Sequence, residues 1–587
     1  MRSIKSIFRL RPSRRRFSLT PPLLARRALA LLLLAWPLAG ATDDAGIASA
    51  HPLATAAGRE LLAAGGNAFD AAIAVTATLA VVEPYSSGLG GGGFFLLHRA
   101  RDGFETMIDA RERAPLAAHA DMYLDSNGEP LSQASLRGPL AAGIPGVPAA
   151  LVHLAGRYGR LPLSRSLAPA IRHARDGFAV TPRYRQMAER AHEALLASPA
   201  SAAAFLANGF VPDVGDTIRQ PQLAATFEAL ARRGVDGFYR GPIAKRMVQA
   251  VRAGGGIWTL ADLAQYRIVE RTPLRTRYRG ATITTAAPPS GGGLALIQML
   301  ALLETFDIDR RPPVARTHLI VEAMRRAYRD RALYLGDPDF PEAAGFRRLL
   351  EPSYLERLRA SIDPARATPS ARLGGDPLPG GAHTTHFSII DTAGNRVAAT
   401  LSINTPFGSG FTPPGTGVLL NNEMDDFAQR PGTPNTYGLV GSSANAIAPG
   451  KRPLSSMTPT FIETGDGIAV LGTPGGSRIP TMVLLAALEV VAGRGTPSDW
   501  VALPRFHHQY LPDLIEYEPG AFDTATAEAL AAYGHTPRAT REPYGNMHIV
   551  ARTKRGGTLA AADPRGEGNV WVGNAGLRKK NPSVPPP

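Results

Sequence analysis

The chain contains no cysteine among its 587 residues. This absence excludes a cysteine nucleophile, a thiolate zinc site, an iron–sulfur cluster and a lipoprotein anchor. It also excludes disulfides, so an exported form of the protein would be held together by packing alone. Serine or threonine must therefore carry any covalent acyl-transfer chemistry.

Acidic residues are absent from the first 41 positions, which contain nine lysines and arginines. More than half of the formal net charge of +15 lies in this short segment. The basic excess therefore indicates a targeting signal and not a nucleic-acid-binding surface.

The basic segment is followed by a short apolar run, residues 28–36 (ALALLLLAW), and then by Ala39-Gly40-Ala41. This order is typical of a cleavable secretory signal, and the run is too short to span a membrane. We expect residues 1–41 to be removed and the mature protein to be periplasmic or secreted, with no stable membrane anchor. The general secretory route is favoured, and Ser13-Arg14-Arg15-Arg16-Phe17 leaves the twin-arginine route as an alternative.

Motifs for nucleotides and metals are missing or stand in the wrong context. Residues 88–93 (GLGGGG) satisfy G-x-G-x-x-G, but the pattern predicts a helix before them and a strand after them. A dinucleotide site requires the opposite order, and no Gly-Lys-Ser/Thr follows for a P-loop. The adjacent His507 and His508 would point in different directions, and no H-E-x-x-H is present. The sequence therefore predicts neither a cofactor nor a bound metal.

Helical and strand patterns alternate along the chain and indicate an α+β protein. Two alanine-rich helices are expected within 54–82, with Asn67 as the N-cap of the second. Other segments read as follows: helices at 317–335 and 479–491, an irregular Pro/Gly/Ala-rich stretch at 366–382, and hairpins at 386–404 and 458–473.

Thr384 and Thr385 stand where the irregular stretch gives way to the first hairpin. We expect a four-residue turn, 392–395, with Asp391 opposite Arg396, so that Thr385 would face Ser402. If the bond before Thr384 is cut, the new α-amino group becomes a base beside the Thr384 hydroxyl. Taken alone, two threonines in a strand would be explained by β-propensity.

Several short motifs occur in a fixed order along the chain: Gly90–Phe94 (GGGGF), Asp109–Glu112 (DARE), Thr384–His386 (TTH), Asn421–Phe427 (NNEMDDF), Pro453–Met457 (PLSSM) and Pro474–Arg478 (PGGSR). Together they resemble the γ-glutamyltranspeptidases, which are N-terminal-nucleophile hydrolases. The resemblance extends from about Ala45 to about Gly573. It implies a four-layer αββα sandwich formed by two subunits after self-cleavage between His383 and Thr384. The large subunit would be 42–383 and the small subunit 384–587.

The resemblance also implies the residues that act on the substrate. Thr384 would be the nucleophile, Ser402 a supporting hydroxyl where the family commonly has threonine, and Gly475 and Gly476 the oxyanion hole. Two successive glycines before a helix suit that role, because their N–H groups are accessible and the helix N-terminus favours negative charge. The implied substrate-binding residues are Arg111, Asn404, Glu423, Asp426, Tyr437, Ser455 and Ser456.

These residues would form a receptor for a zwitterion. Arg111 and the two serines would hold an α-carboxylate, which a guanidinium binds through two parallel hydrogen bonds. Asn404, Glu423 and Asp426 would hold the α-ammonium group. Tyr437 would gate the site from a lid loop at 431–441, a segment that also reads as an ordinary surface loop.

The predicted activity is that of an exported γ-glutamyltransferase/glutathione hydrolase. It would transfer a γ-glutamyl group from glutathione to water, an amino acid or a peptide through an ester on Thr384. One alternative is a cephalosporin or glutaryl acylase of the same superfamily, which would not need a receptor for a substrate ammonium. The other is a non-catalytic exported binding protein, against which the intact Thr384 and Gly475-Gly476 argue.

Overall fold

The computed structural model describes residues 44–129, 131, 133–373, 384–429, 435, 436, 439 and 441–574. The β-strands are β1 Ala45–Ser49, β2 Gly92–Arg99, β3 Phe104–Asp109, β4 Phe178–Ala179, β5 Thr217–Ile218, β6 Val269–Arg271, β7 Leu274–Tyr278, β8 Ala281–Thr285, β9 Thr385–Ile390, β10 Arg396–Ser402, β11 Thr460–Glu463, β12 Gly467–Gly472, β13 Phe506–His507, β14 Ile515–Tyr517, β15 Pro537–Ala539, β16 His548–Thr553, β17 Thr558–Ala562 and β18 Asn569–Gly573.

The α-helices are α1 Pro52–Ala63, α2 Ala68–Val82, α3 Val147–Arg157, α4 Leu163–Asp176, α5 Pro182–Leu196, α6 Pro199–Phe205, α7 Pro221–Arg233, α8 Asp236–Tyr239, α9 Gly241–Ala253, α10 Leu260–Gln265, α11 Gly291–Leu303, α12 Pro313–Tyr334, α13 Pro341–Ala344, α14 Pro352–Ala360, α15 Ile479–Val491, α16 Pro497–Ala502 and α17 Thr524–Ala532. Short 3₁₀ helices include Glu423–Asp426 and Gly476–Arg478, both of which contribute to the site.

Two antiparallel sheets form the centre of the molecule. The seven-stranded sheet has the order β18-β1-β9-β10-β2-β3-β6, and the six-stranded sheet has the order β17-β16-β12-β11-β8-β7. Each sheet contains strands from before and from after position 384, and in the seven-stranded sheet β1 lies between β18 and β9, so neither segment could complete a sheet by itself.

Three apolar clusters divide this centre into layers. One lies between the sheets and includes Phe94, Ile390, Phe461 and Val470. The others pack helices onto the outer faces: α2 onto the seven-stranded sheet, and α11 and α15 onto the six-stranded sheet. Side chains that alternate along a strand supply both faces, and each large apolar side chain buried in this way contributes roughly 1.5–3 kcal/mol. The predicted αββα arrangement is therefore confirmed.

Asn67 caps α2 as predicted. Its side chain accepts from the Phe69 and Asp70 N–H groups, and the Asp70 carboxylate accepts from the Asn67 N–H in return. This reciprocal capping box satisfies N–H groups that have no partner within the helix. All of α2 is buried, so an unsatisfied helix end there would be costly.

The predicted turn of the β9–β10 hairpin is wrong by one residue. Arg396 pairs with Ile390, and a five-residue loop, 391–395, joins the strands. Asp391 closes the loop instead of pairing with Arg396: its N–H donates to the Asn395 carbonyl at 3.0 Å, and its carboxylate accepts from the Ala393 and Asn395 N–H groups, each at 2.9 Å. Its other oxygen accepts from the first N–H of α2, at Ala68 (2.9 Å). A side chain that closes its own loop in this way competes with strand pairing.

The shift changes which hydroxyl lies beside Ser402. Thr385 pairs with Leu401 and not with Ser402. One further step along the ladder brings Thr384, the residue immediately before β9, opposite Ser402. The corrected register therefore places the predicted nucleophile closer to its supporting hydroxyl than the sequence had indicated.

Candidate active site

Thr384 lies at the junction of two clefts. Cleft A contains nine of the predicted site residues: Arg111, Thr384, Ser402, Asn404, Glu423, Asp426, Ser455, Ser456 and Gly476. Cleft B contains Thr384 and Gly475, together with residues that the sequence had not singled out. Thr384 is only 8% exposed, and within the described part of the chain both clefts lead to it.

Arg111 is the central cation of cleft A. It follows β3 and is buried, and its Nε donates to the Pro453 carbonyl at 3.1 Å. Nη1 donates to Glu423 Oε2 at 2.7 Å, and Nη2 donates to Asp426. Burial acts to lower the pKa of Arg111, but Glu423, Asp426 and Glu112 outweigh that effect and raise it. The residues expected to hold opposite ends of a zwitterion thus also bind each other.

The carboxyl groups of Glu423 and Glu112 are buried close to Arg111. Burial raises the pKa of Glu423 well above its ordinary value, with the Arg111 cation opposing the shift. Burial likewise raises the pKa of Glu112 to about 7. Among the described residues, Glu423 Oε1 has no hydrogen-bond partner. Because Glu423 lines cleft A, this oxygen is available to accept a hydrogen bond from a ligand.

Asn404 orients the hydroxyl beside the nucleophile. Its backbone adopts φ of +77°, an uncommon conformation for a residue other than glycine. Its N–H donates to Ser402 Oγ at 2.7 Å, and its Nδ2 donates to the Asn422 carbonyl at 2.9 Å. The strained turn therefore connects the end of β10 to the 3₁₀ helix that carries the acidic residues.

Arg331, which the sequence analysis missed, is a second arginine in cleft A. It projects from α12 and donates from Nη2 to Ser456 Oγ at 3.0 Å. Burial lowers its pKa, and within the described part of the chain no carboxylate lies within 4 Å of it. Its Nε is also buried without a partner. A buried guanidinium that forms no salt bridge within the described chain, next to the two serines, favours an anionic ligand.

The β12–α15 turn has the geometry predicted for an oxyanion hole. Gly475 has φ of +143° and Gly476 has φ of +53°, and both values favour glycine. A Cβ on Gly475 would lie 2.4 Å from Met482 Cε. Among the described residues, neither N–H donates a hydrogen bond. Two free donors thus flank Thr384, Gly475 in cleft B and Gly476 in cleft A.

The predicted gate, Tyr437, lies outside the described residues and stays a prediction. Neighbouring positions of the same loop do contact the site. Asn435 Nδ2 donates to Asp426 Oδ1 at 3.1 Å, and Leu439 lines cleft A. The Thr436 N–H donates to Asp425 Oδ2 at 3.0 Å, so this part of the loop is held by the acidic 3₁₀ helix.

Comparison with known proteins identifies the family. The gamma-glutamyltranspeptidase family model matches residues 54–573. The chain belongs to the γ-glutamyltranspeptidase family. A glutathione hydrolase proenzyme of Escherichia coli K12 is 40% identical over 533 residues, covering 90% of this chain and 91% of the relative. One from Pseudomonas aeruginosa PAO1 is 39% identical over 540 residues, covering 90% and 95%.

Solved structures support the fold of this γ-glutamyltranspeptidase family member. The Helicobacter pylori γ-glutamyltranspeptidase matches with a TM-score of 0.54 and 37% identity, over 55% of this chain and 93% of that chain. A cephalosporin acylase from Bacillus halodurans matches with a TM-score of 0.78 and 28% identity, over 90% of this chain and 96% of that chain. The predicted family and superfamily are confirmed.

One group of residues in this family member has the composition of a metal site. His318, Glu322 and His535 place ligand atoms within 4.8 Å of one another. Those atoms are already engaged: the two histidines hydrogen-bond to each other at 2.8 Å, and Glu322 pairs with Arg325 and Arg326. Burial lowers the pKa of His535 to about 3, which keeps it neutral. The three side chains therefore form a hydrogen-bond network in which the possible metal-ligand atoms already have protein partners.

Proposed function

We propose that the protein is an exported γ-glutamyltransferase/glutathione hydrolase that cuts itself before Thr384. The observation that carries this proposal is the position of Thr384. It immediately precedes β9, between a cleft equipped for a zwitterion and two glycine N–H groups that have no acceptor among the described residues. The E. coli and P. aeruginosa relatives are named as glutathione hydrolase proenzymes, which agrees with a precursor that must be processed.

Cleavage of the His383–Thr384 bond would give a large subunit, 42–383, and a small subunit, 384–587. It would also release the α-amino group of Thr384, which then takes the proton from its own Oγ. Both sheets contain strands from both subunits, and this shared hydrogen bonding supports a heterodimer that stays together after cleavage.

Recognition of the donor follows from the charges of cleft A. The α-carboxylate of a γ-glutamyl group would bind Arg111, Ser455 and Ser456. The α-ammonium would bind the acidic side, where Glu423 Oε1 lacks a partner and Asn404 and Asp426 lie close by. Anchoring both charged groups would leave the γ-carbonyl, several bonds away, at Thr384.

The chemical step is an acyl transfer. Thr384 Oγ attacks the γ-carbonyl, and the Gly475 and Gly476 N–H groups stabilise the oxyanion that forms. The C–N bond breaks as the leaving amine receives a proton, which yields a γ-glutamyl ester on Thr384. Water or an amino acid or peptide amine then attacks that ester and restores the hydroxyl.

Export is proposed from the N-terminal sequence, since residues 1–43 lie outside the described part. Removal of residues 1–41 would deliver the protein to the periplasm or the medium. Among the helices that the structure describes, none is long and apolar enough to cross a bilayer.

A cephalosporin acylase activity is the weaker alternative. It draws on the structural match to the B. halodurans enzyme. However, the acidic side of cleft A, with Glu423 and Asp426 around Arg111, fits a substrate that carries an ammonium group. An acyl chain without that group would leave buried carboxylate oxygens unsatisfied.

Thr384→Ala tests the proposal directly. The purified wild-type protein should run as two chains, with the smaller one beginning at Thr384, and should release glutamate from glutathione. Thr384→Ala should remain a single chain without activity, whereas Thr384→Ser should still be cut. N-terminal sequencing and a glutamate assay measure both results. Cleavage before position 384 in Thr384→Ala, or wild-type protein that stays uncut and inactive, would sink the proposal.

A further inference from the structure

Cleft B is not used by the donor recognition described above, although it also ends at Thr384. It encloses about 520 Å³, including its open mouth. Polar residues dominate its wall: Glu83, Arg183, Asn546 and Glu567. A second opening at the nucleophile suits a reaction in which one group stays on the enzyme while another leaves or arrives.

Arg183 supplies a positive charge that forms no salt bridge within the described part of the chain. It lies in the first turn of α5, and its guanidinium donates to Gln186 Oε1 at 2.8 Å. Among the described residues, no carboxylate lies within 4 Å of that guanidinium. Arginine binds carboxylates through paired N–H groups, so this side chain can receive a carboxylate that enters the cleft.

Glu567 and Asn546 each supply one side-chain oxygen that accepts no hydrogen bond from the described residues. Glu567 Oε1 accepts from the backbone N–H of Arg183 at 2.9 Å, but Glu567 Oε2 is buried and has no partner within the described chain. The same holds for Asn546 Oδ1. Buried acceptors are almost always satisfied, so two of them in one cleft point to a ligand that carries N–H groups.

Arg565 has a different role, although it lines the same cleft. Its guanidinium is already occupied by Glu518 and Asp563. These bonds fix the turn that presents Glu567. The ligand-binding cation of cleft B is therefore Arg183 and not Arg565.

We propose that cleft B binds the amine partner of the transfer, an amino acid or short peptide, with its carboxylate on Arg183 and its amino group toward Glu567 and Asn546. This inference rests on the proposed function. In the step served by the cleft, the amine nitrogen forms a bond to the γ-carbonyl carbon of the Thr384 ester. The carbon–Oγ bond breaks, and the proton lost by the amine returns to Thr384 Oγ through the α-amino group.

Glu83 gives the cleft a proton acceptor. Its Oε2 accepts from Thr385 Oγ1 at 2.7 Å, next to the nucleophile. Burial raises the pKa of Glu83 to about 7. An amino acid arrives as an ammonium ion and must lose a proton before it attacks, and a carboxylate that titrates near neutrality can take that proton.

The test compares two acceptors that differ only in charge. Arg183→Ala is assayed with a γ-glutamyl anilide donor and with glycylglycine or glycylglycine amide as acceptor, by measuring the γ-glutamyl peptide formed. The KM for glycylglycine should rise about 10- to 100-fold relative to the KM for the amide, which is the range for losing a charge-assisted hydrogen bond. Arg183→Lys should recover part of the loss.

Arg185→Ala is the matched control, since Arg185 lies on the same helix and pairs with Asp213 outside the cleft. It should behave like the wild type toward both acceptors. If Arg183→Ala changes the KM for both acceptors equally, or for neither, cleft B does not bind the acceptor carboxylate. If the wild type does not cleave the anilide at all, the proposed function itself is wrong.

Discussion

At the scale of single residues, Arg331 leads to the most specific prediction about donor binding. It is buried and bound to Ser456 Oγ, and it forms no salt bridge with a carboxylate of the described chain. We expect Arg331→Met to raise the KM for γ-glutamyl donors about 10- to 100-fold with a smaller effect on kcat, because a hydrogen bond to a charged group contributes about 1.5–3 kcal/mol. Steady-state kinetics with a γ-glutamyl anilide measure this change.

A double-mutant cycle shows whether Arg331 acts through Ser456. If it does, Arg331→Met combined with Ser456→Ala should lose little more than the worse single variant. Arg331→Lys should restore part of the binding because it keeps the charge. Fully additive losses would mean that the two residues act independently.

The same residues show what the sequence could and could not predict. Arg111, Asp426 and Ser456 belong to short motifs, so their meeting in one cleft could be predicted. Arg331 belongs to no motif, and its partner is 125 positions away. The predicted hairpin register was wrong because the Asp391 carboxylate hydrogen-bonds within its own loop. The alternation of hydrophobic residues along the strands does not reveal such a hydrogen bond.

At the scale of elements, the β12–α15 turn joins the six-stranded sheet to a buried helix and places Gly475 and Gly476 in the two clefts that Thr384 also lines. Gly476 has φ of +53°, where an alanine costs roughly 1–2 kcal/mol. We expect Gly476→Ala to lower kcat about 10²- to 10³-fold, because relaxation of the turn removes an oxyanion donor. The KM should change little, since the charged contacts lie elsewhere in cleft A.

Gly493, just beyond the other end of α15, is the matched control. It has φ of +64°, and a Cβ there would meet no atom within 4 Å. Gly493→Ala should therefore show a similar backbone cost, measured by urea unfolding, with normal kcat. Equal kcat values for the two alanine variants would move the oxyanion donors to another part of the site.

At the scale of the whole molecule, a large protein without cysteine depends on its core, and this core contains titratable groups. Burial lowers the pKa of several histidines to about 3 or about 4: His51, His507, His508, His535 and His548. Burial raises the pKa of a smaller set of carboxyl groups to about 6 or about 7: Glu83, Glu112 and Asp425.

The histidines and the carboxyl groups have opposite effects on the pH dependence of the free energy of unfolding between about pH 4.5 and pH 6.5. The unfolded chain binds protons at these histidines below about pH 6.5, whereas the folded chain does not, so acid destabilises the fold. The carboxyl groups keep their protons in the folded state at pH values where the unfolded chain has already released them, so they stabilise the fold toward low pH. This stabilisation is lost as the pH rises through about 6 to 7. Because the histidines are more numerous, we expect the free energy of unfolding to fall from pH 7 to pH 5.

His548 isolates one part of this effect. It is fully buried in β16, and within the described residues both ring nitrogens lack partners. His548→Leu removes the group that the unfolded chain protonates, and it breaks no hydrogen bond. The variant should gain about 2 kcal/mol over its parent at pH 5, since each pH unit between 6.5 and 5 contributes about 1.4 kcal/mol. At pH 8 both states are neutral, so the titration part of that gain should vanish and only the pH-independent difference in packing and desolvation should remain. Urea unfolding at the two pH values, with uncut Thr384→Ala as the parent to keep a single chain, measures the difference. An equal gain at both pH values would show that packing, and not titration, separates the variants.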